Sequence, residues 1–317
     1  MIMEDNEILQ EFFTTRNLKQ RTIVGYKDAV RIYKEFTGLT LQLLFDEAEK
    51  EEEKGVRWKH RKLKKRLIGF RTYLQNKYAI GTAKIHFQRI KSLYLHFEIE
   101  IHQLPVVSKV NVSQNVINFN DIPNIEIIEK ALKIANPLMR AMILFMSSSG
   151  CARRETLNLT VGDFIGATKQ YHGKDDVYEA LNILKDREDI ILTFHLNRQK
   201  TNKQYFTFCS PEASTAITYY LLDKSTKLQP EMKLFKINLK YLNNLFHEIN
   251  DKLSLGKAGP YNRFRSHILR KFHAVQLYND GMSMEDVDSL QVEVKTPLIQ
   301  AISLMIHKSS EKNIPNI

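Results

Sequence analysis

Several features that define whole classes of proteins are scarce or missing in this chain of 317 residues. Its two cysteines, Cys151 and Cys209, are too few for a disulfide framework or a four-ligand zinc site, and such usage is typical of a reducing cytoplasm. No apolar run approaches the length of a membrane span. The opening MIMEDNEILQEFF is acidic and polar where a secretory signal carries a basic region and then an apolar stretch. We therefore expect a cytoplasmic protein with no membrane partner.

Acidic charge is in the minority. The chain has 47 Lys and Arg against 36 Asp and Glu, a net charge of +11 and a pI near 9.4. Such an excess favours a polyanionic partner. The 43% share of apolar residues is that of a globular protein, and the length suffices for two domains that each bury a core.

The chain divides into two parts. Residues 1–105 have helical periodicity throughout, as in Ile23, Tyr26, Val30 and Tyr33, which fall on one helix face. Four or so helices of this kind predict a small bundle. Residues 106–123 contain several Asn and Ser and no sustained period, which indicates a linker. Residues 124–317 then form the second domain.

The second domain is predicted to combine helices with a small sheet. NPLMRAMILFMSSSG has Pro137 at the first position of a buried helix and Gly150 near its end. DIILTFHLNRQKTNKQYFTFCS consists of two β-prone runs around a polar turn and predicts a β-hairpin. Ser210 and Pro211 predict the cap and first position of the next helix.

One basic helix in the first domain has two interpretations. RWKHRKLKKRLIGFR carries its charge opposite an apolar face of Leu63, Leu67, Phe70 and Leu74. It is either a solvated helix balanced by the preceding DEAEKEEEK or a surface that contacts DNA phosphates. For the second interpretation the candidate DNA-binding residues are Arg61, Lys62, Lys64 and Lys65.

The second domain contains three separate basic elements. In SHILRKFHAVQLY, His267 and Arg270 are three residues apart and share a helix face. In SSSGCARRETLNL, two arginines follow the end of a buried helix, where a planar guanidinium is held in position for a phosphate. Lys200 lies in the hairpin turn, where it is either an ordinary exposed residue or one that reaches a bound strand.

In this order and spacing, the elements resemble the tyrosine recombinase (phage-integrase) family, in the form typical of archaeal integrases, over nearly the whole chain. The family's first arginine precedes a Glu and a Leu-x-Leu, as in SSGCARRETLNL. The commoner spacing of the family falls on Ala152, so we assign the arginine to Arg153 through the Gly-x-x-Arg-x-Glu variant, with Arg154 as the alternative. The hairpin lysine corresponds to Lys200, and the His-x-x-Arg box corresponds to His267 and Arg270.

The resemblance implies a fold: mainly α-helical with a small antiparallel β-sheet, as an N-terminal helical core-binding domain and an α+β tyrosine recombinase catalytic domain. It also implies site-specific cleavage and rejoining of DNA strands through a 3′-phosphotyrosyl intermediate. Two arginines would bind the phosphate oxygens, a lysine would protonate the 5′-oxygen, and a histidine would hydrogen-bond the phosphate or help manage the nucleophile's proton. The catalytic residues implied are Arg153, Lys200, His267 and Arg270.

The same resemblance implies partners. These are double-stranded DNA at the attachment or recombination sites of a provirus or mobile element, and further copies of the chain, up to a tetramer on DNA. It implies no metal or other cofactor.

The nucleophile of the family has no counterpart at its usual position. Its spacing from Arg270 falls on IQAIS, around Ile302, and the chain contains no tyrosine after Tyr278. The segment before this position also differs from the family, because the archaeal pattern LQGR is replaced by Leu-Gln followed by Val292 and Glu293. The chain is therefore an integrase inactivated by an altered C-terminal segment, a DNA-binding module without strand exchange, a recombinase that receives its tyrosine from another subunit, or a basic helical protein outside the family.

A shifted reading frame would account for the first of these. LQVEVK can be encoded by CAG GTA GAA GTA AAA after its leucine codon, and reading from the third base of CAG gives Gly-Arg-Ser-Lys, which restores LQGRSK. The same shift turns the junction of the Ala301 and Ile302 codons into NAT, which is tyrosine if the first base is T. We expect the coding DNA to decide between this frameshift and simple divergence.

Overall fold

The computed structural model describes residues 5–106, 121–197, 204–225, 227–283, 285–287 and 290. Its contacts divide the chain into two compact units, Met1–Val112 and Ser113–Ile317. Most of the expected linker, the hairpin turn with Lys200 and the segment after Gln291 lie outside the described residues.

The first unit is helical. The α-helices are α1 Asp5–Thr15, α2 Gln20–Thr37, α3 Leu41–Glu53, α4 Lys62–Lys77 and α5 Ile80–His96, with a short 3-10 turn at Trp58–His60. Local signals set some of the boundaries. Gly38 ends α2 in the left-handed region with φ 70°, and the Thr40 side chain accepts a hydrogen bond from the Leu43 amide at the start of α3.

The core of the first unit follows the apolar periodicity. Tyr26, Val30 and Tyr33 of α2 are buried, and α4 buries the four apolar residues predicted for it. The hydroxyls of Tyr33 and Tyr94 are 3.0 Å apart inside this core, so each buried oxygen has a partner. The predicted helical bundle is confirmed.

The second unit combines helices with two small antiparallel pairs. Its helices are α6 Ile125–Ile134, α7 Pro137–Ser149, α8 Arg153–Asn158, α9 Val161–His172, α10 Val177–Leu184, α11 Pro211–Leu222, α12 Leu239–Lys252 and α13 Ser266–Asn279. Its strands are β1 Leu192–Asn197, β2 Gln204–Cys209, β3 Lys257–Ala258 and β4 Tyr261–Asn262. The expected class, mainly helical with a small antiparallel sheet, is confirmed.

Helix α7 forms the centre of the second unit. Eight of its 13 residues are buried, and it packs against α11, α13 and β2. The predicted start is confirmed, because Asn136 caps the helix and Pro137 occupies the first turn. Strands β1 and β2 pair from Leu192 opposite Cys209 to Asn197 opposite Gln204, which confirms the hairpin stems. The β3–β4 pair and the short helix α8 were not predicted.

Both cysteines are buried, free thiols in this unit. Burial raises the pKa of Cys151 and of Cys209 to about 12, so both stay protonated and behave as apolar core residues. Ser210 caps α11 ahead of Pro211, as the sequence predicts.

Candidate functional site

The turn that follows α7 is built around Gly150. This residue ends the helix with φ 63°, in the left-handed region that favours glycine. A Cβ at Gly150 would lie 2.5 Å from Nδ1 of the buried His273 on α13, so the close approach of the two helices requires glycine. The Gly150 carbonyl accepts a hydrogen bond of 2.5 Å from Nη1 of Arg270. The end of α7 therefore fixes the position of Arg270.

Arg153 is fixed by a second set of contacts. It is the first residue of α8, and its Nη1 donates to Oδ1 of Asn243 on α12 at 2.7 Å. The start of α8 is held by Glu155, which accepts from the Ala152 amide at 2.9 Å and from the Tyr205 hydroxyl on β2 at 2.8 Å. Glu155 is buried, so this arrangement satisfies its carboxylate while orienting the helix that carries Arg153.

Several positively charged side chains lie close enough to His267 to lower its pKa. Burial is the first cause that lowers its pKa, and the positive charges acting on it are those of Lys271, Arg265, Arg270 and Arg153, in decreasing order. Arg153 and Arg270 therefore lie within electrostatic reach of one imidazole although they belong to separate helices. With its pKa below the ordinary value, the ring is neutral at pH 7 and can both donate and accept a hydrogen bond.

The structure thus brings together Arg153, His267 and Arg270 of the predicted site residues. Lys200, the fourth, lies outside the described residues. Arg154, the alternative first arginine, is exposed on α8. Chemically, two guanidinium groups and a neutral imidazole on fixed helices can bind the non-bridging oxygens of one phosphodiester.

Two contributors to this site, Asn243 and Tyr205, carry no signal in the sequence. Asn243 is one of several asparagines on α12, and Tyr205 occupies an ordinary inward position of β2. Their roles depend on helix and strand packing that joins distant parts of the chain, so no local pattern reveals them.

In the basic helix of the first unit, acidic side chains already bind some of the predicted DNA-binding residues. Arg61 is buried, and its guanidinium donates to Glu52 Oε1 at 2.5 Å and to the Val56 carbonyl at 2.9 Å. These bonds hold the start of α4 against α3, and the contact of Arg61 with phosphate stays a prediction. The acidic stretch does balance part of the charge, since Glu47 also pairs with Lys62 at 3.5 Å.

Lys64 and Lys65 remain as candidate phosphate contacts. Within the part of the chain that the structure describes, neither forms an ion pair. We expect Lys64→Ala with Lys65→Ala to weaken DNA binding for every sequence and to reduce the slope of log affinity against log salt by about two, since each neutralised phosphate contributes about 0.9. Binding titrations at several salt concentrations measure this slope.

The matched control is Lys50→Ala with Lys54→Ala, which removes the same charge from exposed positions at α3. An unchanged slope in the Lys64 and Lys65 variant would remove this face of α4 from the DNA interface. Lys62 is exposed but paired with Glu47, so we expect it to contribute less to DNA binding than Lys64 or Lys65 does.

Two kinds of site are absent from the described ranges. No helix there is long and apolar enough to cross a membrane. No group of three or more His, Cys, Asp or Glu side chains there is arranged to hold a metal ion.

Comparison with solved structures identifies the class of fold to which the chain belongs. No protein-family model matches the chain, and no curated protein matches it. Among solved structures, the XerH site-specific recombinase bound to difH substrate is 14% identical, with a TM-score of 0.53 over 96% of this chain and 85% of that one. A Tn1549 transposon integrase in complex with a circular intermediate DNA is 10% identical, with a TM-score of 0.56 over 96% and 99%. The chain therefore has the tyrosine recombinase fold.

Proposed function

We propose that this chain binds double-stranded DNA at the recombination sites of a mobile element and receives the phosphodiester to be cleaved between Arg153, His267 and Arg270. The observation that carries the proposal is the 2.5 Å hydrogen bond from Arg270 to the Gly150 carbonyl, which holds Arg270 at the turn that leads into α8, where Arg153 is the first residue. The charges of both arginines also lower the pKa of His267. The fold supports it, since the similar XerH and Tn1549 structures are complexes with DNA. The net charge of +11 also suits a polyanion.

The chemistry proposed is that of an archaeal-type integrase. Arg153 and Arg270 bind the non-bridging oxygens as negative charge develops on them, and His267 donates or accepts a hydrogen bond at the same phosphate. Lys200, from the hairpin turn, is proposed as the acid that protonates the 5′-oxygen leaving group. Copies of the chain assemble on the DNA, up to a tetramer, in the cytoplasm.

The proposal includes a defect in cleavage. No tyrosine stands around Ile302, where the family's spacing from Arg270 would put the nucleophile. The chain is then expected to bind DNA and to hold the phosphate without forming a covalent link. This absence also favours the second candidate function, a DNA-binding module that uses the fold without strand exchange.

The test of the phosphate site compares neighbouring arginines. We expect Arg153→Gln and Arg270→Gln each to weaken DNA binding about tenfold, because each removes a charge-assisted hydrogen bond to phosphate. Arg154→Gln is the matched control, since it removes the same charge one residue away and should change affinity less than about twofold. Filter or fluorescence binding at one fixed salt concentration measures the difference.

Because Arg270 also bonds the Gly150 carbonyl, thermal unfolding must accompany its variant. Loss of binding in Arg154→Gln and none in Arg153→Gln would transfer the assignment to Arg154. Unchanged affinity in all three variants would contradict the proposed site. A covalent adduct on nicked DNA from the unaltered chain would instead require a tyrosine from elsewhere, either in this chain or from another copy.

A further inference from the structure

A guanidinium and an aromatic ring are paired where the β3–β4 hairpin leads into α13. Arg265 begins α13 as its N-terminal flanking residue, and its guanidinium carbon lies 4.9 Å from the ring centre of Tyr261 on β4. Its Nη1 donates to the Asn262 carbonyl at 2.5 Å. The Asn262 carbonyl therefore holds one edge of the guanidinium, and the Tyr261 ring packs against one of its faces. Within the described residues this is its one hydrogen bond, so Nε and Nη2 retain donors for a ligand.

The hairpin that carries Tyr261 is rigidly attached. Asn250 of α12 is 2% exposed; its Oδ1 accepts from the Phe264 amide at 2.9 Å, and its Nδ2 donates to the Gly256 carbonyl at 3.2 Å. One buried amide thus bridges the residues on either side of the β3–β4 pair. The Tyr261 ring, in contrast, is 57% exposed. An exposed aromatic ring on a fixed support, beside an oriented guanidinium, is suited to an unpaired base or a sugar next to a phosphate.

The charge of the site exceeds what one phosphodiester needs. Arg265 and Lys271 flank His267, two residues before it at the start of α13 and four residues after it on the same helix, and both positive charges lower its pKa. Among the described residues, Asp121 acts on Arg265, Glu155 accepts from Ala152 and Tyr205, and Asp251 pairs with His247 beside the hairpin. The four cations Arg153, Arg265, Arg270 and Lys271 against the two carboxylates of Asp121 and Glu155 leave a net charge of +2, which exceeds the single negative charge of a phosphodiester. A cationic site of this kind on a DNA-binding fold is explained by more than one phosphate.

We propose that Arg265 and Lys271 bind the phosphodiester adjacent, in the same strand, to the one held by Arg153 and Arg270, and that Tyr261 supports the nucleotide between or beside them. This inference rests on the proposed function and deepens it. The protein then grips two successive phosphates of one strand on fixed elements, which sets the register of the strand at the cleavage position.

Short oligothymidylates test the second position directly. Affinities of the full chain are measured by competition for d(TpT), d(TpTpT) and d(TpTpTpT), which hold one, two and three phosphodiesters. The unaltered protein should gain about tenfold from the first to the second phosphodiester and much less from the second to the third. Arg265→Gln with Lys271→Gln should abolish the first gain and leave d(TpT) binding within about twofold.

Three further variants complete the experiment. Lys130→Gln with Lys133→Gln, on exposed positions of α6, removes the same charge from the same unit and should keep the gain. Tyr261→Leu should weaken d(TpTpT) several-fold, since it removes the stacking surface and the support of Arg265, while d(TpT) changes little. Arg153→Gln should weaken all three oligothymidylates alike.

If the oligothymidylates bind too weakly for their affinities to be compared, the salt dependence of duplex binding tests the same position. On a random-sequence duplex, Arg265→Gln with Lys271→Gln should reduce the salt slope by about one, and the α6 control should leave it unchanged. The second position is contradicted if the unaltered protein and the Arg265→Gln, Lys271→Gln variant gain equally in affinity from d(TpT) to d(TpTpT), or if their salt slopes are equal. Either result leaves the proposed function intact. If Arg153→Gln has no effect on any probe, the proposed function itself fails, whatever the Arg265 and Lys271 variant does.

Discussion

Inserting one guanine before the Val292 codon, so that the chain continues Gln-Gly-Arg-Ser-Lys, is expected to give a protein that forms a covalent DNA complex, while the chain as it stands is expected to form none. The physical reason is that the proposed phosphate site needs only a nucleophile to act. Among the described residues, Arg153 donates to Asn243 of α12 and Arg270 donates to the Gly150 carbonyl at the end of α7. What the chain lacks at Ile302 is a tyrosine oxygen to attack the phosphorus.

The measurement is a denaturing gel of nicked DNA incubated with each protein, in which a covalent adduct migrates with the polypeptide. The control is the restored-frame chain with phenylalanine in place of the new tyrosine, which keeps the fold and removes the nucleophilic oxygen. We expect an adduct from the restored chain and none from the control or the chain as it stands.

The coding DNA can contradict this prediction before any protein is made. The shifted frame must read TAT across the Ala301 and Ile302 codons and must reach that point without a stop codon. If either condition fails, the altered segment is the product of ordinary divergence, and the DNA-binding module without strand exchange becomes the better description.

Replacing Gly150 by alanine is expected to destabilise the second unit by about 3 kcal/mol. Part of the loss is the cost of a side chain in the left-handed region, about 1 kcal/mol. The rest comes from the contact of the new Cβ with His273, whose Nδ1 would be only 2.5 Å away inside a packed core. The midpoint of thermal unfolding should fall by roughly 10 °C.

Gly173 supplies the matched control. It ends α9 in the same left-handed conformation, with φ 64° against 63° at Gly150, but a Cβ there meets nothing within 4 Å. Gly173→Ala should therefore cost only the backbone share, about 1 kcal/mol. In the Gly150→Ala, His273→Ala double variant, part of the loss should be recovered, because the contact is relieved. Equal destabilisation by the two glycine variants would contradict the contact as its cause.

Loss of DNA binding in Gly150→Ala should accompany the loss of stability. The Gly150 carbonyl holds the Arg270 guanidinium, so a shift of this turn moves a phosphate ligand of the proposed site. Gly173→Ala should leave affinity unchanged, which separates the local effect from a general one.

The sequence predicted the local elements well because their signals are local. The buried face of α4 follows from the spacing of its apolar residues, and the limits of α7 follow from Pro137 and Gly150. The stems of the β1–β2 hairpin follow from two β-prone runs around a polar turn. Each of these signals acts between residues a few positions apart, where geometry is nearly independent of the rest of the chain.

Charge patterns were less informative than apolar ones. Arg61 belongs to a basic run, yet the tertiary structure buries it against Glu52, nine residues earlier across a turn. A run of lysines and arginines shows how many positive charges are present. Whether each charge can bind DNA depends on which acidic side chains the fold places beside it. Lys64 and Lys65, in the same run, have no such partner among the described residues.

The sequence by itself determined the residue types of the candidate site, the helices that carry them and the missing tyrosine. Only the tertiary structure brought Arg153, His267 and Arg270 to one place, supplied Asn243 and Tyr205 as their supports, and added Arg265 on the Tyr261 ring. The reason is physical: side chains far apart in the chain meet only through the packing of α7 against α13 and of α8 against its neighbours. That packing depends on the shapes of many buried side chains at once, which no local pattern records.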